Sequence, residues 1–218
     1  MTAPRTILVR APNWLGDCVM SLPALDALQA ALPDAALDVA CRNPLRACFA
    51  AHPAVREVVD APARSGPCRL WTSGRAVRRR MRYDAGLLFT NSFSTAFWMW
   101  CAGPPRRIGT RREGRGVFLT EAVALTRELD AAHMTDFYLH LAARLGADPG
   151  PGVPPPGAGP DPVVPGLRVP AAGCEEAGRL RETLAVDRPY AVLAPASAYG
   201  PVKDWPSERY ADLAARMV

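Results

Sequence analysis

The chain has 218 residues, which is long for one domain and short for two complete ones. Apolar residues make up 49% of it, enough to bury a core, and the formal net charge is +5. The longest strongly apolar stretch, Ala96 to Gly103, is far shorter than the ~20 residues that cross a bilayer, and no basic-then-apolar signal start is visible. We therefore expect a cytoplasmic protein without a membrane span.

The cysteines form no CxxC pair and no spacing typical of a zinc site. We expect buried, reduced thiols and no metal site. The cysteines are Cys18, Cys41, Cys48, Cys68, Cys101 and Cys174.

Much of the positive charge lies in two arginine clusters. Such clusters attract nucleic acid, an anionic membrane surface or an acidic soluble substrate, and they also occur as a plain solvated face. Nucleic acid fits least well, because no recognition motif or set of interleaved aromatic residues accompanies the charge. An acidic glycolipid fits better, since basic residues near an anionic leaflet contribute about 1 kcal/mol each. The clusters are Arg75, Arg78, Arg79, Arg80 and Arg82, then Arg106, Arg107, Arg111, Arg112 and Arg115.

Short apolar or β-branched runs alternate with segments of helical spacing over the first 148 residues. This alternation predicts an α/β domain with a mostly parallel sheet and helices on both faces. The predicted strands are Thr6–Val9, Ala36–Ala40, Val55–Val59, Ala85–Phe89 and Arg107–Gly109. The predicted helices are Asp17–Ala31, Asn43–Ala51, Pro67–Met81, Ser92–Cys101 and Thr135–Leu145.

A stretch rich in proline and glycine divides the chain. We interpret residues 1–148 as a first domain, 149–170 as an extended linker, and 171–218 as the beginning of a second α/β domain. In the last segment we predict a helix at Cys174–Leu184, a strand at Tyr190–Ala194, a loop to Pro206, and a helix at Ser207–Met217. A lone unit of this kind cannot bury both faces of its strand, so we expect the second domain to be incomplete as given.

The turn after the first predicted strand is the strongest candidate for a site. Ligands of open α/β sheets bind just beyond the carboxyl ends of the strands, which puts Asp17 at the expected mouth of a site. Gly16 permits a tight turn and close approach of a ligand to the backbone. From these residues alone, Asp17 is more simply an N-cap of the following helix.

Three stretches resemble one family. The run ILVRAPNWLGDCVMSLPAL, from Ile7 to Leu25, resembles the opening of the bacterial ADP-heptose:lipopolysaccharide heptosyltransferases, most of all the heptosyltransferase II type. Residues 91–94 with 102–109 resemble the middle block of that family, and residues 195–206, PASAYGPVKDWP, resemble its donor-phosphate loop. Three ordered matches over nearly the whole chain are far more specific than any one of them.

The resemblance implies two facing Rossmann-like domains in the glycosyltransferase B arrangement, with the acceptor on the first and the nucleotide-sugar on the second. It implies inverting transfer of heptose from ADP-heptose to the inner-core heptose of a lipopolysaccharide precursor, without a metal or other cofactor. We also expect a monomer that associates peripherally with the anionic inner face of the cytoplasmic membrane and does not bind nucleic acid.

The resemblance also assigns site residues. Asp17 becomes the candidate general base, and Lys203 the candidate ligand of the donor diphosphate, with a solvated surface lysine as the alternative. Ser197 is a second, less secure phosphate contact. Asn91 and Ser92 are equally well explained as residues that cap a helix. The candidate acceptor contacts are Asn13, Gly16, Asn91, Ser92, Arg106 and Arg107.

Other functions stay open on the sequence. A heptosyltransferase I type enzyme would use a Kdo acceptor, and an incomplete donor domain would leave a catalytically inactive, acceptor-binding fragment. A dinucleotide oxidoreductase is disfavoured, because no G-x-G-x-x-G follows the first strand. Affinity for ADP separates these possibilities, since a fragment that lacks most of the nucleotide pocket should bind ADP poorly.

Overall fold

The computed structural model describes residues 3–62, 66–147, 171–185, 190–193, 195 and 204–217. The chain divides into two compact units, Met1–Val169 and Pro170–Val218. The predicted linker, together with Ser197 and Lys203, lies outside the described residues.

The first unit is built on one sheet of six parallel strands, in the order β3-β2-β1-β4-β5-β6. The predicted α/β fold with a parallel sheet is therefore confirmed. The last strand was not predicted, because three residues are too few to show a period. The strands are β1 Thr6–Arg10, β2 Ala36–Cys41, β3 Val55–Asp60, β4 Ala85–Leu88, β5 Arg106–Thr110 and β6 Glu121–Val123.

Helices cover both faces of this sheet. In the first unit they are α1 Leu15–Ala31, α2 Arg46–Ala50, α3 Pro67–Arg80, α4 Phe93–Ala102, α5 Arg127–Ala131 and α6 Met134–Ala143. Short 3-10 turns at Asn43–Leu45 and Arg115–Phe118 precede α2 and β6. The described helices of the second unit are α7 Ala171–Thr183 and α8 Ser207–Met217.

The central strand is buried on both sides, which explains its continuous apolar sequence. Ile7 and Val9 face the core that α1 and α6 close, and Leu8 faces the core that α3 and α4 close. β1 pairs in parallel with β2 on one side and with β4 on the other. The carboxyl ends of these three strands, and the loops that follow them, are therefore held by two packed layers.

Helix α1 begins two residues earlier than predicted. Its N-cap is Trp14, whose side chain makes no capping hydrogen bond, and Asp17 is the third residue of the helix. The prediction that Asp17 caps the helix is therefore wrong. The error arose because Trp14 is not a residue that marks a helix start, whereas aspartate is.

The predicted strand at Tyr190–Ala194 is not present in its described part. Residues 190–193 are exposed and carry no regular secondary structure, and Ala194 lies outside the described residues. A strand needs a neighbour for its backbone N–H and C=O groups, and no strand is described elsewhere in the second unit.

The cysteines are all free thiols, as predicted, but they are not all buried. Cys18, Cys41 and Cys101 are buried, whereas Cys68 and Cys174 are exposed. None of the helices in the described ranges is long and apolar enough to cross a membrane.

Candidate functional site

The strand order reverses between β1 and β4, which makes this point of the sheet the expected position of a ligand crevice. The loop after β1 leads into α1 and supplies Asn13, Gly16 and Asp17. The loop after β4 leads into α4 and supplies Asn91 and Ser92. The parallel sheet therefore brings these five predicted site residues to one edge, on either side of the same crevice.

Asp17 lies half-buried in the first turn of α1. Burial raises the pKa of its carboxyl group above the ordinary value. Within the described residues, this carboxylate has no hydrogen bond or ion pair, so no neighbour offsets the loss of water. The helix N-terminus alone favours the charged form. Desolvation acts in the opposite direction, and it makes Asp17 a stronger base than an exposed aspartate.

Tyr138 of α6 lies near enough to Asp17 to be affected by its charge and was not predicted as a site residue. Its side chain is buried, and its ring centroid is 4.9 Å from that of Phe89, the residue that follows β4. Burial first, and then the nearby Asp17 carboxylate, raise the pKa of the Tyr138 phenol. Tyr138 therefore forms part of the crevice floor, in its neutral form. The sequence carried one signal for this residue, which is the tyrosine hydroxyl within the apolar run Phe137–Leu139 of α6.

Arg10 ends β1 as a fully buried cation. Its guanidinium donates to the carbonyl oxygens of Ala11 at 2.9 Å and Ala40 at 3.1 Å, and to Oδ1 of Asn13 at 3.4 Å. Burial lowers the pKa of Arg10 to about 10, so the group stays protonated at neutral pH. Arg42 adds a hydrogen bond to the carbonyl oxygen of Asn13 at 3.5 Å. Two arginines thus fix the loop that carries Asn13 toward the crevice.

Asn91 and Ser92 differ in what they leave for a ligand. Asn91 accepts a hydrogen bond from Oγ1 of Thr110 at 2.7 Å through its side-chain oxygen, so its amide nitrogen is the group left to donate. Ser92 is the N-cap of α4 and accepts from the backbone N–H of Thr95 at 3.4 Å. The capping alternative therefore describes Ser92, and Asn91 is the better ligand donor of the two.

Arg115 is buried at the same carboxyl edge of the sheet, next to the ends of β4 and β5. Its buried guanidinium donates to the carbonyl oxygen of Thr90, and to the carbonyl oxygen and Oγ1 of Thr110 at 2.7 and 2.9 Å. Burial lowers the pKa of Arg115 to about 10. The hydroxyl of Thr110 is thereby aimed at Asn91, which fixes the orientation of that amide.

The structure does not bring Arg106 and Arg107 to the crevice. They begin β5, at the amino edge of the sheet, whereas the crevice lies at the carboxyl edge. Arg106 donates to Glu121 Oε2 at 3.0 Å, and Arg107 donates to the carbonyl oxygens of Pro104 and Phe118. These hydrogen bonds hold the segments before and after β5 at the amino edge of the sheet. We therefore leave Arg106 and Arg107 out of the site.

No group of three histidine, cysteine, aspartate or glutamate side chains that could hold a metal ion is found among the described residues. The donor-side predictions, Lys203 and Ser197, fall outside those residues and stay predictions.

The sheet order, with a switch point between β1 and β4, is that of a Rossmann-like domain that binds ligands at the carboxyl ends of its strands, and the sequence places it in a family. Residues 71–218 match the model of glycosyltransferase family 9 (heptosyltransferase), and the chain belongs to this family.

Within the family, the chain is similar to lipopolysaccharide heptosyltransferase 2 of Escherichia coli K12, at 31% identity over 97% of this chain. It is also 30% identical to lipooligosaccharide heptosyltransferase 2 of Haemophilus influenzae, again over 97% of the chain. The chain spans 60% of the length of both relatives.

Solved structures agree with this placement. The structure of E. coli ADP-heptose lipopolysaccharide heptosyltransferase II matches with a TM-score of 0.77 and 29% identity, over 97% of this chain and 61% of that one. A family 9 glycosyltransferase from Veillonella parvula has the same fold, with a TM-score of 0.78 and 20% identity, over 98% of this chain and 59% of that one.

Proposed function

We propose that this chain supplies the acceptor-binding part of an inverting glycosyltransferase that moves heptose from ADP-heptose to an inner-core heptose of a lipopolysaccharide precursor. The observation that carries the proposal is Asp17. Its carboxylate is half-buried, has no hydrogen bond or ion pair within the described residues, and stands at the switch point of the sheet, where a ligand crevice is expected. A structural aspartate would have a partner, whereas a general base must keep its oxygen available for a substrate.

In the proposed reaction, Asp17 takes the proton from the acceptor hydroxyl. The acceptor oxygen attacks the anomeric carbon of the heptose from the side opposite the diphosphate. The new carbon–oxygen bond forms as the bond to the diphosphate breaks, ADP leaves with the electron pair, and the anomeric configuration inverts. The raised pKa of Asp17 serves this step, because a stronger base accepts the proton more readily.

The acceptor is proposed to contact both loops of the crevice. Asn13 is held by Arg10, and the Asn91 amide is held by Thr110, so each can donate or accept without first being ordered. A Cβ atom built on Gly16 would meet nothing within 4 Å, so the backbone beside Asp17 is open to a sugar. Ser92 has a smaller role, since its hydroxyl already caps α4.

The donor side of the proposal rests on Lys203 and Ser197. Their loop would bind the leaving diphosphate through the lysine ammonium and backbone N–H groups, which compensate the charge that develops on ADP. We propose no metal ion and no further cofactor for this step.

The relatives at about 30% identity are type 2 enzymes, which supports a heptose acceptor over the Kdo acceptor of a type I enzyme. We also propose a monomer that works at the inner face of the cytoplasmic membrane.

The test is Asp17→Asn in the protein expressed from the whole gene. We expect transfer from ADP-heptose to a heptose-bearing acceptor to fall by about 10²- to 10⁴-fold, the usual contribution of a general base. The affinity for ADP, measured by calorimetry, should stay within about twofold, because Asp17 faces the acceptor. Asp34→Asn, which changes an exposed aspartate just beyond α1, is the matched control and should leave both quantities unchanged.

Full activity of the Asp17→Asn protein would refute the base assignment. An unaltered protein that binds ADP but transfers no heptose to any heptose or Kdo acceptor would refute the proposed reaction. A failure to bind ADP would instead favour the acceptor-binding fragment.

A further inference from the structure

Four aromatic rings form a continuous surface on the outer side of α4. Phe97 contacts Phe118 and Trp100, at ring-centroid distances of 5.5 and 5.9 Å, and Phe93 contacts Phe118 at 5.1 Å. Phe93 and Trp100 are each 47% exposed. We refer to Phe93, Phe97, Trp100 and Phe118 as the aromatic stripe.

Only part of the aromatic stripe helps to bury α4: Phe97 and Phe118 are partly buried against the core, whereas Phe93 and Trp100 stay exposed. The opposite side of the helix already packs into the core through Ala96, Trp98 and Met99. Phe93, Phe97 and Trp100 recur at helical spacing on the outer side, where a soluble surface helix normally carries polar residues. Phe93 and Trp100 are the exposed rings of this set, and exposed aromatic side chains on one helix side indicate a surface suited to an apolar partner.

Arginines lie on the helix beside the stripe. Helix α3 packs beside α4 and exposes Arg75, Arg78 and Arg79. The stem of Arg78 reaches the end of α4, since a Cβ on Gly103 would lie 2.8 Å from Cδ of Arg78. Arg75 lies over the ring of Trp71, 5.2 Å from its centroid. Cationic and aromatic side chains therefore share one face of the first unit.

Neither α3 nor α4 contains an aspartate or glutamate. Between them the chain has Asp84, at the amino edge of the sheet, where it accepts hydrogen bonds from the backbone N–H groups of Arg5 and Thr6. Arg80 of α3 pairs with Glu57 of β3, whereas the charges of Arg75, Arg78 and Arg79 have no ion pair within the described residues and are available to a partner with anionic groups.

A lipid surface matches this chemistry better than the other partners. A second copy of this face would bring like charges together, which opposes association. Single-stranded nucleic acid stacks its bases on separate aromatic platforms, whereas the rings of the stripe are packed against one another. Tryptophan and phenylalanine insert at the boundary between headgroups and acyl chains, and arginines beside them bind anionic headgroups.

We propose that the aromatic stripe and the exposed arginines of α3 dock the protein on an anionic lipid bilayer. The stripe begins at Phe93, directly after Asn91 and Ser92, so docking brings the edge of the crevice to the membrane surface. The binding itself is independent of the transfer reaction. Only its use, which is to meet an acceptor held in that membrane, rests on the proposed function.

The test is co-sedimentation of the whole protein with vesicles of phosphatidylcholine, with and without phosphatidylglycerol. We expect binding to the anionic vesicles that weakens as salt is added. Replacement of three arginines, Arg75→Gln, Arg78→Gln and Arg79→Gln together, should weaken it by roughly 10- to 100-fold. Trp100→Ser should weaken it by about tenfold with little effect on folding, because the side chain is half-exposed.

The matched control removes the same charge elsewhere. Arg5→Gln, Arg82→Gln and Arg127→Gln together change three exposed arginines that lie on neither α3 nor α4, and binding should fall far less. Equal losses of vesicle binding in the two triple variants would overturn the proposal, because binding would then depend on net charge and not on this face. So would a Trp100→Ser protein that binds as well as the unaltered one.

Two further outcomes would assign the face to another partner and also overturn the proposal. One is a dimer in solution that Trp100→Ser dissociates, and the other is tight binding of single-stranded RNA that the α3 variant abolishes. Transfer to a lipid-free acceptor separates the two proposals. The α3 variant should keep that activity while it loses transfer to acceptors embedded in vesicles.

Discussion

Asp17 would have opposite effects on the proposed reaction and on the stability of the fold. Its carboxylate is half-buried without a hydrogen bond or ion pair in the described chain, and its pKa is raised. A carboxyl group that binds its proton more tightly in the folded state destabilises that state whenever it is ionised. The residue proposed to act as a base therefore costs stability at neutral pH.

This cost can be measured as a pH-dependent difference. Asp17→Asn should raise the free energy of unfolding at pH 7, because it removes a charge that the fold desolvates. The gain should shrink as the pH falls through the raised pKa, and it should vanish below the ordinary aspartate value of about 3.9, where both states are protonated. Urea unfolding of the two proteins over this pH range is the measurement. A variant that is no more stable at pH 7 would show that Asp17 is stabilised by its surroundings.

At the level of elements, the contact between α3 and α4 depends on a glycine. A Cβ atom on Gly74 would lie 2.6 Å from Cβ of Cys101 and 2.8 Å from the carbonyl oxygen of Trp98. The second of these atoms belongs to the backbone of α4, so it cannot rotate away. The two helices can pack this closely only because Gly74 has no side chain.

Gly74→Val should therefore destabilise the first unit by about 1–3 kcal/mol, the usual cost of overpacking. Ala76→Val, on the exposed side of the same helix, is the control for the lower helix propensity of valine and should cost under 1 kcal/mol. Thermal unfolding followed by circular dichroism compares them. Similar melting temperatures for the two variants would mean that the helices separate at little cost.

The regular elements were predictable where each carries its own pattern. β1, β2 and β4 are mainly apolar and buried, and the predicted positions of β1 to β5 agree with the structure to within one residue at each end. β6 and α5 have three and five residues, too few to complete a recognisable period. Their formation depends on the neighbours that the fold supplies.

The site was predictable only in part. Asp17 and Asn91 follow strands, so the sheet rule located them. Arg10 and Tyr138 were missed because their roles depend on contacts with distant parts of the chain, such as the carbonyl oxygen of Ala40. Arg106 was predicted as a site residue although it is the first residue of β5. In a parallel sheet, that position belongs to the edge opposite the crevice.

For the whole molecule, the face that includes α3 and α4 should bind lipid with the same strength over a wide pH range. Neither helix contains histidine, aspartate, glutamate or lysine, and arginine stays charged far above neutral pH. Partition to phosphatidylglycerol vesicles should therefore be constant between about pH 5.5 and 7.5 at fixed ionic strength. A change of more than about threefold in vesicle binding would show that titrating groups outside these helices take part.

The choice of arginine over lysine on this face also limits how the cell can control it. Lysine acetylation removes a positive charge, but α3 offers no lysine to acetylate. Acidification cannot add charge to the face, since its basic groups are already protonated. Attachment through such a surface would be constitutive, and its release would depend on the lipid composition of the membrane or on local salt.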